Sequence, residues 1–146
     1  MKKISNIIYA GIAGTTCMTL FSYMVSEKKN KNFKEPQILG QLIHRSSSLN
    51  NNPSKITGWL LHYITGIFFA AIYSSLLDHK KVKNSLPQSL ITGGISGIAG
   101  VCVWHTVFKF HPLPRQVARK KYYEHLIATH ILFGAVTFSC LGKNES

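Results

Sequence analysis

The chain has 146 residues, with seventeen Lys and Arg against five Asp and Glu, a formal net charge of +12 and a mean hydropathy near zero, +0.07. That average hides a segregation: four long apolar runs fill just over half of the chain, and the acids (Glu27, Glu35, Asp78, Glu124, Glu145) and nearly all the bases lie between or beside them. Uncharged runs long enough to match a hydrocarbon core of about 30 Å exclude an ordinary soluble domain. They also set the positive charge at membrane flanks, where anionic headgroups explain it better than nucleic acid does.

The first predicted span covers residues 7–25. Met1-Lys2-Lys3 ahead of it resembles a signal peptide, but the run is longer than a usual h-region. No Ala-x-Ala site follows, and Gly14-Thr15-Thr16 before Cys17 is a poor lipoprotein site, so a retained helix is expected. Ala10, Gly11, Gly14 and Thr15 give it small residues for close packing. In the connector that follows, Glu35-Pro36 suits a helix start, and Ile38, Leu39, Leu42 and Ile43 recur at helical spacing beside Gln41, His44 and Arg45. The pattern predicts a short amphipathic interfacial helix over 35–45, with residues 46–53 as a polar loop.

The second span, 58–77, carries Trp59 and Tyr63 as belt aromatics, His62 about one turn in, and Gly66 with Ala70 four residues on. The third, 90–108, holds Gly93 and Gly97 in GxxxG spacing, then Gly100, and His105 about one turn from its end. Lys109 can snorkel from that end. The fourth, 122–141, opens with Tyr122 and Tyr123, has Glu124-His125 as an expected solvated pair at headgroup level, and carries His130 about two turns in with Gly134 beyond it. Cys17, Cys102 and Cys140 lie within spans as small hydrophobes, without a CxxC. The prediction is one all-α membrane domain over 1–146, a four-helix bundle whose packing glycines are Gly11, Gly14, Gly66, Gly93, Gly97 and Gly134.

Four spans place both termini on one side. Connectors one and three carry eleven basic residues against six on the terminal side, which puts those connectors in the cytoplasm, although Lys2 and Lys3 pull the other way. Six of the seven histidines (His44, His62, His105, His111, His125, His130) fall on the connector side, and His79 on the other. An ionisable group within a span is costly and usually faces the bundle interior or a cavity. The candidate polar cavity is therefore drawn from His62, Tyr63, His105, His130, Glu35, Arg45, Arg115 and Arg119, at one leaflet. For the three intramembrane imidazoles, hydrogen bonding across helices is the structural reading. Metal or haem ligation by His62, His105 and His130 is the other, without a recognised ligand spacing.

The halves echo one another. Gly11-Ile12-Ala13-Gly14 matches Gly94-Ile95-Ser96-Gly97, and His62 with Gly66 matches His130 with Gly134. Two parallel two-helix repeats, with His62 and His130 as mates, account for this, as does chance between short Gly-rich segments. The run Gly58-Trp59-Leu60-Leu61-His62-Tyr63-Ile64-Thr65-Gly66, with the His-x-x-x-Gly of the last span and Ile38-Leu39-Gly40 before it, resembles small four-helix bacterial membrane proteins without an assigned activity. Gln41-Leu42 stands where an Arg-Trp pair is the expectation. The resemblance implies a bacterial inner membrane and a four-helix fold, and no activity.

No Asp or Glu lies deep within a span, which removes the usual carboxylate of a coupled carrier, and no P-loop, nucleophile elbow, zinc-protease helix or dinucleotide fingerprint occurs. The expected role is non-enzymatic, without a resident cofactor: binding of a lipid, small ligand or partner at the polar cavity, alone or as a homo-oligomer. Arg45, Arg115 and Arg119 would meet an anionic headgroup, with His62 and Tyr63 behind them. The alternatives are a His-ligated metal or haem protein and a small transporter or channel, against which the apolar far half argues.

Overall fold

A computed structural model of the protein describes residues 2–79, 83–111 and 117–142. They form five helices: α1 (Lys2–Lys29), α2 (Glu35–Ser46), α3 (Asn51–Asp78), α4 (Leu86–Phe110) and α5 (Arg119–Gly142). Four of these, α1, α3, α4 and α5, are long and apolar enough to cross a membrane. The fold is the expected all-α four-helix bundle with a short helix in the first connector.

The helices outrun the apolar stretches that predicted them. At about 1.5 Å per residue, the 28 residues of α3 reach well beyond a hydrocarbon core of about 30 Å. The expected polar loop over 46–53 is consequently shorter, because α3 already begins at Asn51. Pro53 does not prevent this, since a first-turn residue needs no intrahelical N–H partner. The protruding turns have protein to pack against. A Cβ on Gly58 would lie 2.5 Å from the Pro36 carbonyl oxygen and 2.8 Å from Gly40 Cα, so α2 and α3 touch backbone to backbone. Gly58→Ala is expected to push α2 off α3 and cost about 1–3 kcal/mol. An unchanged unfolding temperature in mild detergent would contradict that contact.

The turn between α1 and α2 sets where Glu35 goes. α1 ends at Lys29, and Asn30 after it has a positive φ of 47°, which suits one of the few side chains that tolerate the left-handed region. The Lys31 N–H returns to the Ser26 carbonyl at 3.2 Å, and the Phe33 N–H donates to Ser26 Oγ at 3.0 Å. The chain thus reverses within a few residues, and Phe33 and Glu35 both turn into the bundle. Both are 2 % exposed.

α4 packs on α5, α5 on α1, and α1 on α3, while α2 packs on α3. The glycine stripes sit at these seams: Gly11 against the Ile67 backbone, Gly14 against Phe133, Gly66 against Thr15, Gly93 and Gly97 against α5, and Gly134 against Gly93. The α3 and α4 backbones, in contrast, stand apart. They are tied by the Tyr73 hydroxyl and Ser96 Oγ, 2.7 Å apart. At the other end of the gap, Ile38 and Leu42 of α2 are buried with Phe108, Val117, Tyr122 and Leu126. The apolar stripe of α2 therefore meets protein and wedges α3 away from the α4–α5 pair. Near the termini, the exposed Lys3 pairs with Asp78 and joins the outer ends of α1 and α3.

Candidate functional site

The gap between α3 and α4 holds a cavity of about 260 Å³. Its walls are His62 and Phe69 from α3 and Gly100 and Trp104 from α4. Thr15 and Met18 of α1 and His130 and Phe133 of α5 form its floor, and Glu35 and Leu39 of α2 close one end. Thr65 and Val103, which also line it, are exposed on the lipid-facing side, Val103 by 62 %. The cavity therefore opens sideways between two spans, within the half of the bundle nearest α2.

Glu35 is its acid. Ser22 Oγ donates to Glu35 Oε1 at 3.2 Å, while Oε2 has no partner. Burial pushes the carboxyl up to about 8, against the opposing pull of hydrogen bonds from its own backbone and Ser22. At neutral pH the group is mostly protonated. The buried hydroxyl of Tyr122 also lacks a partner. Buried polar atoms left unpaired are uncommon and mark places where something else is to be bonded.

The two cavity histidines resolve into opposite tautomers. Thr19 Oγ1 lies 2.9 Å from His62 Nε2, yet the single Thr19 hydroxyl hydrogen already goes to the Thr15 carbonyl at 2.7 Å. His62 Nε2–H must then donate, and Nδ1 keeps its lone pair. His130 Nδ1 lies 2.8 Å from the Leu126 carbonyl, which can only accept, so His130 keeps its lone pair on Nε2. Phe69 meets the His130 ring edge-on at 5.9 Å.

His125 departs from its expected place in solvent. Glu124 is exposed, but His125 is 7 % exposed, its Nε2 2.9 Å from Ser22 Oγ. Its ring stacks within 3° of parallel on Phe21 and lies 4.7 Å from Phe33. The reason is that α5 begins at Arg119 and packs on α1 from its start, so residues 122, 125, 126 and 129 share one buried face. On its outer side His125 reaches a second, open pocket lined by Lys29, Lys31, Lys121 and Glu124. There a hydrogen bond with Lys121 draws Lys31 below the usual lysine range.

Of the eight residues proposed for a polar cavity, Glu35, His62 and His130 line this one. Tyr63 lies on the α1–α3 seam, 3.0 Å from Thr16 Oγ1 and stacked on Trp59. His105 is on the outer face of α4, 3.4 Å from the Tyr123 hydroxyl. Arg45 is exposed near the end of α2. Arg119 is exposed and donates to the Phe108 carbonyl at 3.4 Å. Arg115 lies outside the described residues. No described arginine lines the cavity, which is mostly apolar. Among the described residues, no group of three or more His, Cys, Asp or Glu is placed to hold a metal ion. The sequence reading passed over Thr15, Thr19, Ser22, Tyr122 and His125 as site residues. Buried small hydroxyls carry no signature of their own.

Four candidate spans and a cavity between them define a multi-pass membrane protein. No family model, curated protein or solved structure matches the chain.

Proposed function

We propose that this protein binds a small, largely apolar molecule that enters from the bilayer between α3 and α4, its polar end held at Glu35, His62 and His130. The observation that carries this reading is the cavity itself. It is apolar, opens to the lipid side at Thr65 and Val103, and contains three convergent polar groups, each with a hydrogen-bonding atom not used by the fold. We place it in a bacterial inner membrane among the small four-helix proteins it resembles, alone or as a homo-oligomer. The α2 side is cytoplasmic, with its lysines and arginines against anionic headgroups. No catalytic step is part of the proposal.

Mass spectrometry of small molecules retained by the protein in mild detergent tests it. Val103→Trp changes an exposed position at the mouth, which the fold should tolerate. Recovery of the bound compound should fall at least several-fold in that variant. Equal recovery would move the binding site elsewhere.

A second reading is supported by the unused lone pairs of His62 Nδ1 and His130 Nε2, on two residues that line the same cavity: a metal or haem iron ligated by both. A visible spectrum with elemental analysis would then show a stoichiometric centre, lost in His62→Ala and in His130→Ala. Retention in both variants would overturn it.

A further inference from the structure

Two chambers meet at one short polar chain. Glu35 lines the intramembrane cavity, and its Oε1 accepts from Ser22 Oγ. Ser22 Oγ lies 2.9 Å from His125 Nε2, and His125 lines the lysine-rich pocket at the polar end of the bundle. Carboxyl, hydroxyl and imidazole are the groups that pass a proton along hydrogen bonds, and here they run from a membrane cavity to a surface pocket through an otherwise apolar layer. Phe21 and Phe33 hold the imidazole on either side. Such a buried carboxyl is an odd investment if the cavity held only an apolar body.

The ligand class follows from the charges that face Glu35. α1 contributes Ser22 and Tyr23, α3 contributes His62, and α5 contributes His125, Tyr122 and His130; α4 gives no titratable group to the cavity lining. Glu35 is thus the one acid of the lining, and no lysine or arginine stands beside it there. Phe69, Trp104 and Phe133 present aromatic rings to the same space, which favour a cation over an anion. Resting on the ligand-binding reading above, we propose that the cavity takes up lipophilic amines as their cations, in exchange for the proton on Glu35, and that this proton leaves through Ser22 and His125 to the lysine-lined pocket. The exchange balances once the hydrogen bonds turn: the protonated carboxyl swings its O–H onto Ser22 Oγ, Ser22 turns its own hydrogen onto His125 Nε2, the Glu35 O–H bond breaks, His125 releases one proton from Nδ1 to water in the outer pocket, and the ammonium keeps its own protons. Burial that keeps the empty carboxyl protonated near neutrality fits this exchange.

Octylamine, octanol and octanoate share a tail and differ in head, so they separate the possibilities. Binding is followed by calorimetry on the full chain in nanodiscs, with protein-free nanodiscs as blank, in phosphate and in Tris. The difference between buffers counts protons. Near neutral pH, octylamine should bind with release of about one proton and at least tenfold more tightly than octanol. Glu35→Gln should abolish the release, and an unchanged helical circular-dichroism spectrum with an unfolding temperature no lower than that of the unaltered protein shows the variant folded. His125→Phe should keep the proton count but slow its appearance in stopped-flow measurements with a pH dye. Octylamine binding without proton release in the unaltered protein overturns the inference, with no variant needed. Octanol binding as well as the amine, or octanoate binding better, overturns it and leaves the ligand-binding reading standing. Failure of all three to bind overturns both.

Discussion

Glu35→Gln is expected to leave the fold standing and to make it more stable as pH rises above about 4.5. In the folded protein burial raises this carboxyl from 4.5 to about 8. A folded-state value above the unfolded one means that the native state binds the proton more tightly. The stabilising contribution is therefore complete below about pH 4.5 and is lost as pH climbs toward 8. At about 1.4 kcal/mol per unit, the whole loss is on the order of 5 kcal/mol. Glutamine stays neutral throughout, and its carbonyl oxygen can still accept from Ser22. Unfolding temperatures of the two proteins should therefore coincide below about pH 4.5, separate steadily as pH rises toward 8 and keep that gap above it, with the variant higher. His62, His125 and Tyr122 also face this region, but they are common to both proteins and cancel in the difference. Parallel curves would show that the carboxyl is hydrated or paired, and the cavity would lose its acid.

The placement of Glu35 is what the sequence could least disclose. Length and absence of charge announce four spans, and Pro36 with its helical spacing announces α2. Its destination depends on a reversal at Asn30 and on a glycine contact between Gly40 and Gly58, eighteen positions apart, neither of which a hydropathy pattern records. No Asp or Glu lies deep within a span, since Glu27, Asp78 and Glu124 stand near helix ends. A connector helix supplies the buried carboxyl instead.

Which histidines face inward was more legible than it first looks. Gly93, Gly97, Gly100, Trp104 and Phe108 recur at three- and four-residue steps and mark the packed face of α4. His105 is one residue from Trp104, about 100° around the helix, so it belongs outside. His62 and His130 each stand four residues before a packing glycine and so share that glycine's face. The echo between the halves rests partly on this geometry. Its register differs, however: Gly11 meets the Ile67 backbone, while the α4 contact with α5 runs through Gly93, one residue from the matched Gly94.

That one-residue offset yields the sharpest stability test. A Cβ on Gly93 would lie 2.6 Å from the His130 carbonyl oxygen and 2.8 Å from Ile131 Cα, whereas a Cβ on Gly94 would meet nothing nearer than Ile131 Cγ1 at 3.8 Å. The same methyl group is therefore a backbone clash at one position and an ordinary contact at the next. Gly94→Ala should be neutral or stabilising by up to about 1 kcal/mol, the helix-propensity gain. Gly93→Ala gains the same propensity, but α4 and α5 must separate, for a net loss of about 1–3 kcal/mol, and Gly93→Leu should lose more. Close helix approach is what holds such a pair together where lipid gives no hydrophobic drive. Function should follow stability at Gly93 alone, because the carbonyl it abuts belongs to His130. Moving that segment of α5 shifts the imidazole from its place in the cavity, so cavity binding should weaken in Gly93→Ala and persist in Gly94→Ala. If the two variants unfold at the same temperature, α4 and α5 do not touch through Gly93, and the floor of the cavity is not built as described.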